Sequence, residues 1–185
     1  MVSASPKAST AGKLLVAPPA LRDPNFTGTV VLMLLHNDDG AFGLVLTRPS
    51  INPVTEFLPS WADRCAAPAL VFGGGPVQPT SAIGLVKMAA PTEGVAMVSA
   101  DLGTADLELD PVLIPGVLAL RVFAGYSGWA AGQLDGEMEL GGWIVVGARP
   151  DDAFDPDPST LWERVVARQG GVLGSLARTP NPDWN

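Results

Sequence analysis

One stretch, Gly125–Met138, most constrains the fold of this chain. It places four glycines and a short acidic segment between two runs of β-forming residues, Leu118–Phe123 and Trp143–Val146. That order predicts a strand, a glycine-punctuated turn, a short helix and a second strand. The rest of the chain must therefore supply a sheet for this corner to pack against.

The helix predicted after Trp129 has an apolar and a polar side. Gln133 and Glu137 share one flank at i, i+4 spacing. Either they line a polar groove with Tyr126, or Tyr126 fills the core and Glu137 is solvated. The second interpretation is favoured because amphipathic helices usually only pack. Gly136 costs a helix about 1 kcal/mol relative to alanine, which suggests close packing there. The residues predicted to face the core are Ala130, Leu134 and Met138.

Apolar runs predict several further strands. Thr29–Leu35 is apolar almost throughout and is predicted to be a central strand buried on both faces. His36–Gly40 has hairpin chemistry, so Ala41–Thr47 is predicted to return as its partner. Shorter strands are predicted at Gly12–Ala17, Ala69–Phe72, Ala82–Met88 and Val95–Ser99.

The predicted strands outnumber the predicted helices by about three to one. Val54–Ala62 has apolar residues at helical spacing behind Asn52 as a cap, and Ser159–Gln169 is predicted to be a helix capped by Ser159. This pattern predicts an α+β fold with a mixed, strongly curved sheet flanked by helices, in a single domain. The domain is predicted to span residues 11–178, between a disordered N-terminal tail (1–10) and a C-terminal tail (179–185).

Composition excludes several classes of function. The net charge of −8 and the absence of a basic run argue against direct nucleic-acid binding. With one cysteine and one histidine, the chain has no internal disulfide, and no metal site or cofactor is predicted. No apolar run approaches the roughly 20 residues of a membrane helix, and the N-terminus is not a secretory signal. We expect a cytoplasmic monomer.

Several segments together resemble the YqgE/AlgH family of bacterial proteins. Order and spacing agree across residues 12–177, and the ordered set is specific although each motif alone is weak. Asp135 and Thr47 depart from the family pattern, which usually has Glu and Asn there. The matching motifs are Gly12-x-Leu14-Leu15-x-Ala17-x-Pro19, Asp23-Pro24-x-Phe26, Val30-Val31, His36, Gly40-Ala41-x-Gly43-Leu44-Val45-Leu46-x-Arg48-Pro49, Gly74-Gly75-Pro76-Val77 and Gly125-Tyr126-x-Gly128-Trp129-x-x-Gly132-Gln133-Leu134-x-x-Glu137.

The resemblance implies an α+β fold with a partly barrel-like sheet. Members of the family are often labelled transcriptional regulators, although they lack a recognisable DNA-binding module. The resemblance implies no catalytic residues that can be carried over to this chain.

Each candidate for chemistry also has a structural explanation. His36 is the one general base available near neutral pH, but a hydrogen-bonded structural role is more common, and a pair with Cys65 is conceivable. Gly73–Pro76 lacks the residues of a phosphate loop and fits a tight strand exit. Arg48 can pair with Asp23 or Glu137, or bind an anion. The aspartates at 151, 152, 155 and 157 lack the order of a calcium loop and are predicted to be solvated.

Three functional hypotheses remain. The first is a non-catalytic protein that binds a protein partner or a small ligand, with an indirect role in transcriptional regulation. The second is a hydrolase of a phosphorylated or nucleotide substrate, with His36 as base and Arg48 as anion clamp. The third, direct DNA binding, is disfavoured by the charge. The candidate binding residues are Asp23, His36, Arg48, Gly74, Gly75, Pro76, Tyr126, Gln133 and Glu137.

Overall fold

The computed structural model describes residues 9–177. Within that range the chain forms ten strands, three α-helices and five short 3₁₀ turns. The strands are β1 Lys13–Val16, β2 Val30–Asn37, β3 Gly40–Val45, β4 Pro49–Pro53, β5 Leu70–Gly73, β6 Val77–Met88, β7 Val95–Met97, β8 Leu102–Ala105, β9 Val117–Ala130 and β10 Ile144–Gly147. The helices are α1 Gln133–Glu139, α2 Leu161–Ala167 and α3 Gly171–Leu176, and the 3₁₀ turns are Val54–Glu56, Pro59–Arg64, Pro111–Leu113, Asp152–Phe154 and Pro158–Thr160.

The strands form one mixed sheet that curls into a half-barrel. Its main path runs β10-β1-β2-β3-β9-β6-β8-β7, and β4 joins through β5. The β5–β9 pairing is parallel, whereas the other paired strands run antiparallel. The single α+β domain with a mixed, strongly curved sheet is therefore confirmed.

Alternating side chains of the central strands fill cores on both sides of the sheet. Leu32 and Leu44 point toward α2, where they pack with Trp162. Val31 and Met33 point the opposite way, toward Leu134 of α1. We call these two sides the α2 face and the α1 face. The prediction that the apolar run of β2 is buried on both faces is confirmed for residues 30–34, whereas Leu35 at the end of the run is 50% exposed.

β9 is the longest strand, and it changes partners along its length. Its first part pairs with β6 and β5, and its last four residues pair with β3. Gly125 lies between the two parts with φ = 70°, which only glycine adopts readily. Phe123 and Tyr126, three residues apart, consequently both belong to the α2 face, whereas in a regular strand they would point to opposite faces. The predicted turn at Gly125 was wrong, because the glycine bends a continuous strand, and the extra residues of the irregular pairing lie in β6 between Val77 and Ala82.

The helix predicted at Val54–Ala62 was also wrong. Pro59 splits the segment into two 3₁₀ turns, because a proline lacks the N–H and disfavours helical backbone in the residue before it. Asn52 does not cap the first turn, since Pro53 occupies that position without a side-chain hydrogen bond. Ser159 does not cap α2 either, because its hydroxyl donates to Asp157.

None of the helices in the described part is long and apolar enough to cross a membrane.

Of the predicted tails, residues 1–8 and 178–185 lie outside the described range. Ser9 and Thr10 lie within it, and both contact His36: the Ser9 hydroxyl donates to the His36 carbonyl, and Thr10, only 2% exposed, packs against the ring.

Candidate functional site

Glu137 points into the protein and holds two tryptophans. Its Oε2 accepts hydrogen bonds from the indole nitrogens of Trp129 at 2.9 Å and Trp143 at 2.8 Å. Its Oε1 accepts from the Gln133 amide at 2.9 Å, and the Gln133 oxygen accepts from the Ala130 N–H. The prediction of a solvated Glu137 was wrong, because α1 starts so close to β9 that its second turn lies over the Trp129 ring.

The start of α1 also changes two smaller predictions. Ala130 is the exposed last residue of β9 rather than a core residue of the helix, whereas Leu134 is buried and Met138 packs beside it. Gly136 does not mark close packing, since a methyl group placed there would meet no atom within 4 Å.

Arg48 hydrogen-bonds to backbone carbonyls of a loop rather than to a carboxylate. Its Nη2 donates to the carbonyls of Pro24 at 2.9 Å and Thr27 at 3.4 Å. No described residue's carboxylate hydrogen-bonds Arg48, so the predicted pairs with Asp23 and Glu137 are not formed. The Asp23 carboxylate instead accepts from the Asn25 N–H within the same loop.

The loop held by Arg48 carries Phe26 into the tryptophan pair. Its ring lies 5.9 Å from that of Trp129 and 5.3 Å from that of Trp143, between centroids. Asp23, Arg48, Gln133 and Glu137 are therefore parts of one supporting structure on the α1 face, and their polar groups are used within the protein.

His36 contacts Thr10 on one side and Asp135 of α1 on the other. Its side chain is 6% exposed, and its Nδ1 lies 3.3 Å from the Thr10 N–H and 3.0 Å from the Thr10 hydroxyl. Because a backbone N–H only donates, Nδ1 must be the acceptor, which puts the proton on Nε2. That nitrogen faces the Asp135 carboxylate at 3.7 Å. The structural role predicted for His36 fits this geometry.

The segment Gly74–Pro76 crosses the backbone of β9. Residues 122–124 of β9 pair with β5 and β6 at once, so these two strands lie on its opposite edges. The three residues that join β5 to β6 must pass over β9, and they do so at Gly125. A Cβ on Gly74 would lie 2.2 Å from the Gly125 oxygen, and one on Gly75 would lie 2.3 Å from the Tyr126 carbonyl. The Gly74 N–H donates to Ala124, so the glycines serve a backbone crossing rather than an anion.

The acidic loop after β10 anchors α2, so the prediction of solvated aspartates was wrong for Asp152 and Asp155, whereas Asp151 and Asp157 are exposed. Asp152 is 6% exposed and forms a two-pronged salt bridge with Arg168. Asp155 forms another with Arg164. Burial opposes ionisation of Asp155, but hydrogen bonds from Arg164 and from a backbone N–H outweigh it, so the pKa of Asp155 lies below its ordinary value.

Cys65 is half-buried and Arg121 is buried. Burial raises the pKa of the Cys65 thiol despite the nearby positive charge of Arg121, so this cysteine is not an activated nucleophile. Cys65 packs in a third core beneath the 3₁₀ turns and does not meet His36. Arg121 is 2% exposed, lies over the Phe72 ring and donates to two carbonyls. Within residues 9–177, no three acidic, His or Cys side chains are grouped to hold a metal ion.

Within residues 9–177, Tyr126 is the candidate whose side-chain polar group makes no hydrogen bond to the protein. It lies on the α2 face, away from Gln133 and Glu137, with its ring 4.7 Å from that of Phe42. Its hydroxyl has no hydrogen-bond partner among the described residues. Tyr126 therefore belongs to a different surface from the other candidates.

That surface is an open groove of about 480 Å³ at the end of the β2–β3 hairpin. Leu35 lies opposite Phe42 across the hairpin, and Phe42 lies opposite Gly128 of β9. Because Gly128 has no side chain, the Tyr126 ring lies over it, 3.3 Å from where a Cβ would be, and the Phe42 and Tyr126 rings together form the floor. We call this surface the hairpin groove; its lining is Leu35, Asn37, Asp39, Gly40, Ala41, Phe42, Val77, Tyr126, Gly128 and Trp129.

The candidate residues thus fall into three places. Most of the polar ones lie in the structure under α1, the glycines lie at the crossing, and Tyr126 lies in the hairpin groove. The sequence motifs indicated Tyr126 and Gly128 but not Leu35 or Phe42, which looked like ordinary strand residues. A glycine within a strand is the signal that could have suggested a surface depression.

The chain is similar to proteins of several bacteria. The profile of the AlgH-like family matches residues 14–174. A UPF0301 protein of Streptomyces coelicolor is 44% identical, covering 94% of this chain and 93% of the relative, and one of Thermobifida fusca is 42% identical with the same coverage. The crystal structure of a Corynebacterium diphtheriae protein superposes with a TM-score of 0.86 at 29% identity over 94% of each chain. The solution structure of AlgH from Pseudomonas aeruginosa gives 0.70 at 29% identity over 95% of this chain and 96% of AlgH.

Proposed function

The chain belongs to the AlgH-like family, as its motifs predicted, and from that premise we propose that it is a non-catalytic protein that binds a protein partner through the hairpin groove. One observation carries the proposal. The polar side chains that suggested chemistry are used inside the protein, whereas the groove presents apolar walls and an unused Tyr126 hydroxyl at the surface. Leu35, which is 50% exposed, adds a large apolar side chain to its rim.

The shape of the groove favours a protein segment over a small molecule. Small-molecule sites usually enclose most of their ligand, and this groove is open along its length. A partner's side chains can lie on Phe42 and Tyr126, and the Tyr126 hydroxyl can then hydrogen-bond to the partner, as tyrosines at interfaces commonly do.

The hydrolase alternative finds no support in the geometry. His36 pairs with Ala41 near the hairpin turn, while Arg48 follows the opposite end of the hairpin, where Leu46 donates to the Val30 carbonyl. The six residue steps from Val30 to His36 span roughly 20 Å of strand, so the two side chains lie near opposite ends of the hairpin. They cannot act on one substrate atom together.

A role in transcription then acts indirectly. The net charge of −8 opposes direct contact with a phosphate backbone. We propose that the protein works in the cytoplasm and influences transcription through the partner bound in its groove.

The test compares two variants with the same chemical change. Leu35→Glu puts a charge at the groove, and Leu118→Glu puts one on an equally apolar, 61% exposed position at the start of β9. Cross-linking in cells, followed by affinity purification, should recover a partner with the wild type and with Leu118→Glu but not with Leu35→Glu. Equal recovery by both variants would contradict the proposal. Circular dichroism of each variant checks that the fold is intact.

A further inference from the structure

The edge of β9 beside the hairpin groove is open. On one side its last residues pair with β3. On the other side Tyr126 pairs with Val77, and past Tyr126 no strand of the described part continues the sheet. Backbone groups two residues apart point to the same edge of a strand, so the N–H and C=O of Gly128 point outward beside Tyr126. Gly128 is exposed.

One group of this edge is covered, because the Ala130 N–H donates to the Gln133 side chain, but no described side chain hydrogen-bonds the N–H or C=O of Gly128. Charged side chains, prolines or covering segments usually prevent an edge from pairing with another chain. At the edge of β10, Arg168 covers the Gly147 carbonyl by donating a hydrogen bond to it. The exposed residues in this last part of β9 are Gly128 and Ala130, which are small and uncharged. An extended segment can therefore approach the backbone closely here.

The negative charge around the groove favours an extended segment with basic residues at its ends. Asp39 lines the hairpin groove at the turn, next to Asp38. A second depression shares Phe42 with the groove and is lined in part by the exposed Asp106. Neither lining, as far as the described residues show, contains a lysine or an arginine. An apolar floor between exposed aspartates is complementary to an apolar segment flanked by Lys or Arg.

We infer that the hairpin groove binds an extended, apolar peptide segment with basic flanks, which adds to the open edge of β9 as a further strand. Main-chain hydrogen bonds to Gly128 hold the segment, and every second side chain lies on the Phe42 and Tyr126 rings. The inference deepens the proposed function and rests on it, since it names the class of partner for the same groove.

The test starts from a displayed library of random peptides of about ten residues, a length that spans a typical strand. The whole chain is the bait. The Gly128→Val variant, whose added side chain would cover the floor of the hairpin groove, is used to discard peptides that bind elsewhere. Gly147→Val is the matched control in β10, where an added Cβ would meet no atom within 4 Å. Recovered peptides should alternate apolar residues between Lys or Arg flanks, and Gly128→Val should bind them roughly tenfold or more weakly.

Two further measurements keep the result independent of how Gly128→Val folds. Two peptides, each N-methylated at one of the two alternating sets of amides, should differ in binding. Methylation of the set that faces β9 should weaken binding roughly tenfold or more, and methylation of the other set should not. In the wild type, the Gly128 amide should become protected from hydrogen exchange when peptide binds.

The outcomes separate the inference from the proposed function. Peptides that are acidic, helical or indifferent to N-methylation overturn the inference, as does a library without a binder that depends on Gly128. If partner recovery nevertheless remains sensitive to Leu35→Glu, the proposed function stands and strand addition alone fails. If partner recovery ignores Leu35→Glu, the proposed function fails with it.

Discussion

Replacing Glu137 with alanine is expected to destabilise the protein by about 2–4 kcal/mol. The change leaves the indole N–H groups of Trp129 and Trp143 without their acceptor, and both tryptophans are only 6% exposed. A buried donor without a partner costs about 1–3 kcal/mol, so two of them cost about 2–6. Glu137 itself is half-buried, and water entering its place will satisfy part of this, which favours the lower half of the range.

Urea denaturation followed by circular dichroism measures the cost, and a double-mutant cycle assigns it. Trp143→Phe keeps the aromatic ring but removes one donor. In that background Glu137→Ala should cost about 1–3 kcal/mol less than in the wild type. Glu139→Ala, on the exposed side of the same helix, is the control and should change stability by less than about 1 kcal/mol. A loss below about 0.5 kcal/mol for Glu137→Ala, or additive effects in the cycle, would refute the proposed role of the carboxylate.

Further substitutions test other parts of the structure. Gly136→Ala should raise stability by about 0.5–1 kcal/mol, since the added methyl meets no atom within 4 Å and alanine favours the helix; a loss in the same urea assay would mean that the space is filled. Gly74→Ala should cost about 3 kcal/mol or more, or prevent soluble expression, because its Cβ would lie 2.2 Å from a backbone oxygen of β9. The lowered pKa of Asp155 means that its contribution is full above its unfolded pKa and is lost as the pH falls through the lower folded value. Urea midpoints should therefore fall between about pH 5 and pH 3, and Asp155→Asn should flatten that dependence; an unchanged slope would show that other groups cause it.

The sequence predicted the central strands because their signal is local. In Thr29–Leu35 nearly every residue is apolar, and a strand is the element in which a short run of that kind buries both faces. The segment Val54–Ala62 failed because helical spacing outweighed Pro59 in the interpretation. The start of β6 was missed because Gln78 and the residues after it are polar and exposed, so they carry no apolar periodicity.

The site was harder to predict because its contacts join distant parts of the chain. Nothing in the order of residues shows that Trp143, on the far side of α1, donates to the same oxygen as Trp129. The groove depends on register, since Phe42 lies opposite Gly128 and the Tyr126 ring can lie beside Phe42 because Gly128 has no side chain. The resemblance indicated which positions matter, but it did not distinguish residues that support the fold from residues that face a partner.

The passage of Gly74–Pro76 over β9 also limits chain length. Four residue steps join Gly73 to Val77, and they span at most about 13–14 Å when fully extended. The strands they connect are two sheet spacings apart, about 10 Å, and the path must also rise over a backbone. The connection therefore has to be nearly fully extended. An extra residue can bulge outward, but a single deletion here should draw β5 and β6 out of register, so this short segment tolerates lengthening and not shortening.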